Sequence, residues 1–188
     1  VDSHVRIEDE NQNAHSWLDD PISVDEVKRA LLSLKNKKAA GPDGLIGEIF
    51  KSSSHIVTPF LVLYFNRLFE KGLFPDAWTE SIIQPLHKKG MLTDNYRGIS
   101  LLNICSKIYS SILNKRLSGW IEANDAVGEE QAGFRRDHST VDHIFTLMGI
   151  VQKQLVNKKK LYVAFIDFRK AFDSVVREQL CLVLYKNG

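Results

Sequence analysis

Residues 161–166, Leu-Tyr-Val-Ala-Phe-Ile, form an unbroken apolar run of strand-forming residues, and the next residue is the carboxylate Asp167. A run of that length with no polar alternation predicts a strand buried on both faces, so other elements must cover it from two sides. The residue that ends it narrows the possibilities further. A charge set directly after a buried strand is costly to desolvate, and a divalent cation is the usual compensation, which makes Asp167 a candidate metal ligand. An aspartate there can equally end the strand and cap the next turn, so residue type alone leaves both readings open.

The chain ahead of this run supplies mostly helices. Residues 1–20 are polar and acidic without periodicity and read as a loosely ordered lead-in. Ser23 followed by Glu26 is a capping box, and Val24, Val27, Leu31 and Leu34 recur at helical spacing, predicting a helix over about 24–35. Residues 37–44, Lys-Lys-Ala-Ala-Gly-Pro-Asp-Gly, are a basic loop whose last four residues form a turn. A second helix is predicted over 56–69, with Pro59 in its first turn and Gly72 placed to end it. Residues 81–86 and 96–102 read as two strands of a hairpin whose loop carries Lys88, Lys89 and Gly90. Asn103 can cap a helix to about residue 121, with Ile104, Ile108, Ile112 and Leu117 buried; Ser139 can cap another that buries Ile144, Met148, Val151 and Leu155. Asp173 or Ser174 can open a last helix through Leu184. Helix-rich first and sheet-forming later, the order predicts an α/β (α+β) class.

Composition excludes several functions. With 188 residues, 44% hydrophobic and 26% charged, the chain can bury a real core. Its net charge of +2 gives no argument for nucleic-acid binding, which must rest on where the cations sit: Lys37-Lys38, Lys88-Lys89, Arg135-Arg136, residues 158–160 and Arg169-Lys170, all in loops. Cys105 and Cys181 lie far apart in helical segments, as suits buried thiols in a reducing compartment, and the six histidines show no metal-site spacing. The longest apolar run, 56–65, is interrupted by Thr58 and Pro59 and is too short to span a membrane.

Four blocks then resemble a known family. Residues 162–173, Tyr-Val-Ala-Phe-Ile-Asp-Phe-Arg-Lys-Ala-Phe-Asp, resemble the first catalytic motif of reverse transcriptases. The resemblance implies that Asp167, with the backbone carbonyl of Phe168, binds catalytic Mg²⁺, and that Lys170, Ala171 and Phe172 lie against the deoxynucleotide, Phe172 as the ring that excludes a ribose 2′-hydroxyl. Asp173 fits the same pattern, with a helix N-cap as its equal alternative. Residues 83–90 with 95–102 resemble the fingers hairpin, which implies that Lys88 and Arg97 grip the incoming triphosphate; Lys89 is the alternative to Lys88, and Gly98 stands where many relatives have proline. Residues 130–140 resemble the template-contacting segment, implying that Gly133 admits the strand closely, Phe134 packs under it and Arg135 meets phosphate, with Arg136 facing solvent. Residues 39–44, Ala-Ala-Gly-Pro-Asp-Gly, resemble the N-terminal extension motif of non-LTR and group II intron enzymes; they lack the Gly-Lys-Ser/Thr ending of a nucleotide P-loop and read as a packing turn near the template path.

The four occur in the family's order over about 39–176, closest to LINE-like non-LTR retrotransposon enzymes. The resemblance implies a partial right-hand polymerase fold, with fingers over 21–160 and the start of the palm over 161–188, and Asp167 facing Arg97 across a cleft. It implies an RNA template, a DNA primer and dNTP as partners, no membrane, and an intracellular setting in cytoplasm or nucleus. No Tyr/Phe-x-Asp-Asp segment follows Val176. The expectation is therefore a fragment of a longer polymerase, inactive alone. A non-catalytic RNA- or DNA-binding remnant and an unrelated α/β interaction domain are the alternatives.

Overall fold

The computed structural model describes residues 17–87, 96–168, 171–172 and 174–186. They fall into two units, one within His15–Gly128 and the other from Glu129 onward. The N-terminal unit holds α1 (Val24–Ser33), α2 (Gly47–Ser52), α3 (Ser54–Lys71), a 3₁₀ turn (Asp76–Trp78), β1 (Ile82–His87), β2 (Tyr96–Leu101) and α4 (Ile104–Ala123). Local chemistry sets most of these limits. The capping box forms as predicted, with the Ser23 N–H donating to Glu26 Oε2 at 2.8 Å. Gly72 ends α3 in the left-handed conformation at φ 60°, a position that favours glycine. Because α3 begins at Ser54, Pro59 lies a turn deeper than predicted. The short helix α2 was not foreseen.

The core of this unit is built between α1, α3 and α4. Val27 and Leu31 from α1, Phe65 from α3 and Ile108 from α4 are fully buried. Each contributes roughly 1.5–3 kcal/mol by leaving water. Phe65, Trp78 and Tyr109 pack ring against ring with centroids 5.3–6.4 Å apart, which ties the 3₁₀ turn to both long helices. Along α4, Ile104, Ile108 and Ile112 are buried as predicted, but Leu117 is exposed. The stripe advances by four, so its next position is 116, and Arg116 fills it. Its guanidinium donates to Glu26 Oε1 at 2.7 Å and Oε2 at 2.9 Å and to the carbonyls of Leu18, Asp20 and Pro21, while stacking 5.6 Å from the Phe69 ring.

That ion pair makes stability depend on pH. The hydrogen bond from Arg116 holds the Glu26 carboxyl at about 2, against an ordinary value of 4.5. A carboxylate depressed in the folded state stabilises fully above its unfolded value and loses that contribution as pH falls toward the folded one. Discounted for the solvent that still reaches Glu26, about 1–2 kcal/mol should disappear between about pH 4.5 and 2. Urea midpoints taken across that range should fall steeply in the natural chain and much less in Glu26→Gln.

Residues 41–44 form a turn, the Gly44 N–H donating to the Gly41 carbonyl at 3.1 Å, and α4 is capped through it. Asn103 occupies the N-cap position of α4 but makes no side-chain cap, contrary to prediction. The Asp43 carboxylate does this instead, Oδ2 accepting from the Ile104 N–H at 3.2 Å and Oδ1 from the Leu45 N–H at 3.1 Å. Gly41 lets the two segments meet, since a Cβ there would sit 2.4 Å from the Leu102 carbonyl oxygen. Gly41→Ala should therefore cost about 2–3 kcal/mol in a denaturant melt, because backbone must move. Gly44→Ala, strained at φ 67° but with open space around it, should cost only about 1 kcal/mol.

The C-terminal unit departs most from expectation. Its helices are α5 (Thr140–Val156), with the capping box Ser139–Asp142, and α6 (Arg177–Lys186). Ile144, Met148 and Leu155 are exposed and Val151 only partly covered, so α5 forms no core. Ser174 does not open α6; its hydroxyl donates to the Ala171 carbonyl, and the helix starts at Arg177. Residues 161–168 carry no strand and are exposed, Phe165 by 84% and Ile166 by 82%. A strand exists only by pairing, and among the described residues of this unit there is none for 161–166 to pair with. Cys181 is exposed as well, whereas burial raises the Cys105 thiol above its usual range.

Candidate functional site

The β1–β2 hairpin presents the first group of predicted site residues. It is antiparallel, with Leu86 opposite Arg97, Pro85 opposite Gly98 and Gln84 opposite Ile99. The register puts Arg97 on the face shared with Leu86, Gln84 and Ile99. The ladder runs unbroken through Gly98, where a Cβ would come within 3.0 Å of the Ile83 side chain. Arg97 is exposed, not enclosed by its apolar neighbours, because both faces of this two-stranded ribbon are open. His87 and Tyr96 pack with tilted rings at the far end of the described ladder, centroids 5.0 Å apart. Lys88 and Lys89, the other predicted triphosphate contacts, lie outside the described residues.

The segments that lead into and out of the hairpin are joined. The Asn103 side chain is buried, its Nδ2 donating to the Ala77 carbonyl at 2.6 Å and its Oδ1 accepting from the Asp43 N–H at 3.0 Å. Sequence reading missed this junction of three segments. The types were visible, an aspartate in a Gly-Pro-Asp-Gly turn and an asparagine before a helix, but both have ready local partners, and nothing local signals bonds 60 residues long.

The remaining site residues belong to the C-terminal unit. Phe134 and Phe172 meet edge to face, with centroids 6.0 Å apart, so the predicted template-packing ring and the predicted ribose gate are brought together. Both rings are otherwise exposed, Phe134 by 93%. Phe134 also stands at φ 63°, a left-handed backbone uncommon for a bulky residue. Gly133 accepts from the Gln131 amide at 3.1 Å, and the Arg135 N–H closes a turn onto the Ala132 carbonyl. Arg136 faces solvent and pairs with Asp137 at 3.6 Å, a contact too exposed to stabilise measurably.

Asp167 and Phe168 are exposed, not delivered by a buried strand, and Ala171 lies in an exposed turn. Lys170 and Asp173 lie outside the described residues. Carboxylate and carbonyl oxygens are the donors a hard divalent cation takes. Among the described residues, no group of three or more acidic, histidine or cysteine side chains lies where it could hold a metal ion.

Residues 86–185, which take in the end of β1, all of β2, the paired phenylalanines and Asp167, match the family described as reverse transcriptase (RNA-dependent DNA polymerase). The chain belongs to this family. It is similar to the probable RNA-directed DNA polymerase from transposon BS of Drosophila melanogaster, 31% identical over 163 residues that make up 85% of this chain and 18% of the relative. It is 32% identical over 157 residues to the RNA-directed DNA polymerase from mobile element jockey of the same species, covering 82% of this chain and 17% of that protein. The probable RNA-directed DNA polymerase from transposon X-element, also of Drosophila melanogaster, is 30% identical over 158 residues, again 82% and 17%. These relatives come from non-LTR transposable elements. The chain thus spans under a fifth of their length. Family membership sets aside the unrelated interaction domain.

Proposed function

We propose that this chain is the nucleotide- and template-handling part of a polymerase that extends a DNA primer on an RNA template. The observation that carries the reading is the family match, which takes in the Arg97 strand, the Phe134–Phe172 pair and Asp167 in one stretch. Arg97, joined by Lys88 or Lys89, grips the triphosphate of the incoming dNTP with charge-assisted hydrogen bonds. Gly133, Phe134 and Arg135 hold the template strand, and Lys170, Ala171 and Phe172 line the nucleotide, with the Phe172 ring set against a 2′-hydroxyl. Asp167 and the Phe168 carbonyl contribute oxygens to Mg²⁺. When bound, that ion supplies positive charge to offset the triphosphate and to favour an ionised primer 3′-hydroxyl. The polymerase that carries this chain works within the cell, in cytoplasm or nucleus.

One carboxylate fixes the ion too loosely for catalysis. The 188-residue chain alone is therefore expected to bind an RNA–DNA primer–template without extending it. Binding should weaken as salt rises and weaken again in an Arg97→Ala/Arg135→Ala variant. Filter binding and primer extension on the same samples test this: salt-insensitive binding, or affinity indifferent to both arginines, would refute the reading of the chain's contacts, and dNTP incorporation would refute its inactivity.

A further inference from the structure

We propose that Asn103 is a positioning residue for nucleotide binding: its buried side-chain amide ties the segments flanking the β1–β2 hairpin to each other and to the turn at residues 41–44, and so fixes where Arg97 stands. The inference rests on the triphosphate-binding role proposed for Arg97. Ala77, whose carbonyl takes the Asn103 Nδ2–H at 2.6 Å, lies in the 3₁₀ turn that precedes β1, and Asn103 itself lies two residues past the end of β2. One side chain therefore joins the segment that leads into the hairpin to the segment that leaves it. Its other end, Oδ1, holds the Asp43 N–H at 3.0 Å, and Asp43 in turn holds the Ile104 N–H. Gly41 packs on the Leu102 carbonyl within the same junction. An asparagine serving only its own helix would bond to an N–H of the first turn. Asn103 gives up that bond and spends both ends of its amide between segments.

The hairpin has few other restraints. Ile83, Leu86 and Ile99 are all exposed, so packing does little to set its direction. A two-stranded ribbon by itself is marginal in water. From Leu101 to Arg97 the strand extends about 13 Å, at roughly 3.3 Å per residue. A tilt of about 10° at the base would then move Arg97 by about 2 Å, where misplacement of about 1 Å is enough to cost a positioned group most of its effect.

The test uses the 188-residue chain, with Asn103→Ala, Asn103→Asp and Arg97→Ala, read by amide hydrogen exchange and by NMR titration with inorganic tripolyphosphate. Asn103→Asp keeps an acceptor for Asp43 but loses the donor to Ala77, so both Asn103 variants should exchange β1–β2 amides about tenfold faster, while α1 and α3 stay protected. Tripolyphosphate affinity should fall as far in Asn103→Ala as in Arg97→Ala, and the double variant should be no weaker than Arg97→Ala alone. Unchanged hairpin exchange, exchange that rises equally in α1 and α3, or affinity losses that add would each overturn the proposal. Tripolyphosphate binding indifferent to Arg97→Ala would overturn it by a different route, since the triphosphate role would fail while the exchange data still reported whether the amide holds the hairpin.

Discussion

Arg116→Ala is expected to lower the unfolding free energy of the N-terminal unit by about 3–5 kcal/mol, a large share of what a domain of this size has. All five guanidinium N–H donors are committed: two to the Glu26 carboxylate and three to the carbonyls of Leu18, Asp20 and Pro21. Truncation leaves Glu26 without its counter-ion and three carbonyls without donors, and removes the cation from the Phe69 ring. The fork matters as much as the charge. Lysine offers three donors from one point and cannot span partners disposed around a planar group, so Arg116→Lys should lose about 2–4 kcal/mol. Urea melts followed by the fluorescence of the buried Trp78 would measure both variants. An Arg116→Lys chain within about 0.5 kcal/mol of the natural one would show that charge alone is what position 116 provides. A cycle pairing Arg116→Ala with Glu26→Ala should show strong coupling, since the two groups share one bidentate contact.

What the amino acids announce and what they conceal separate along the same line. Features that need only neighbours in sequence were legible: the Ser23–Glu26 box, the left-handed stop at Gly72, and both hairpin strands to within a residue. Features that depend on distant partners were not. Asn103 sits where a helix cap belongs, yet its amide is taken by Ala77 and Asp43, 26 and 60 residues away, and Asp43 supplies the cap. Leucine outranks arginine as a core residue on any hydrophobic pattern, yet Arg116 is buried and Leu117 is not, because five acceptors converge on the guanidinium. The run at 161–166, read as a strand buried on both faces, is exposed and forms no strand. Burial needs strands and helices to provide it, and the described part of the C-terminal unit has neither beside that run. The site divides in the same way. The family motifs named Arg97, Phe134, Phe172 and Asp167, and the edge-to-face pairing of the two phenylalanines could be seen only in three dimensions.

In a polymerase that carries this chain, Asp167→Asn is expected to reduce primer extension by about 10³-fold or more, equivalent to roughly 4 kcal/mol in the barrier. The substitution keeps the shape of the side chain and removes its charge. A carboxamide still offers one oxygen, but a hard divalent cation depends on the negative charge of its ligands, so the ion would be held weakly at the position where charge develops. Stability should be untouched, because Asp167 is exposed and makes no buried contact. Template–primer affinity should stay within about threefold, since phosphate contacts come from basic side chains elsewhere. These readouts separate the metal-ligand role from the other role open to an aspartate at this position. Asparagine ends a strand and caps a turn as well as aspartate does, so a residue needed only for that purpose would tolerate the exchange with extension within about tenfold of normal. Extension at that level, with melting and template binding both unchanged, would remove Asp167 from the catalytic centre and leave the aspartate a local structural residue.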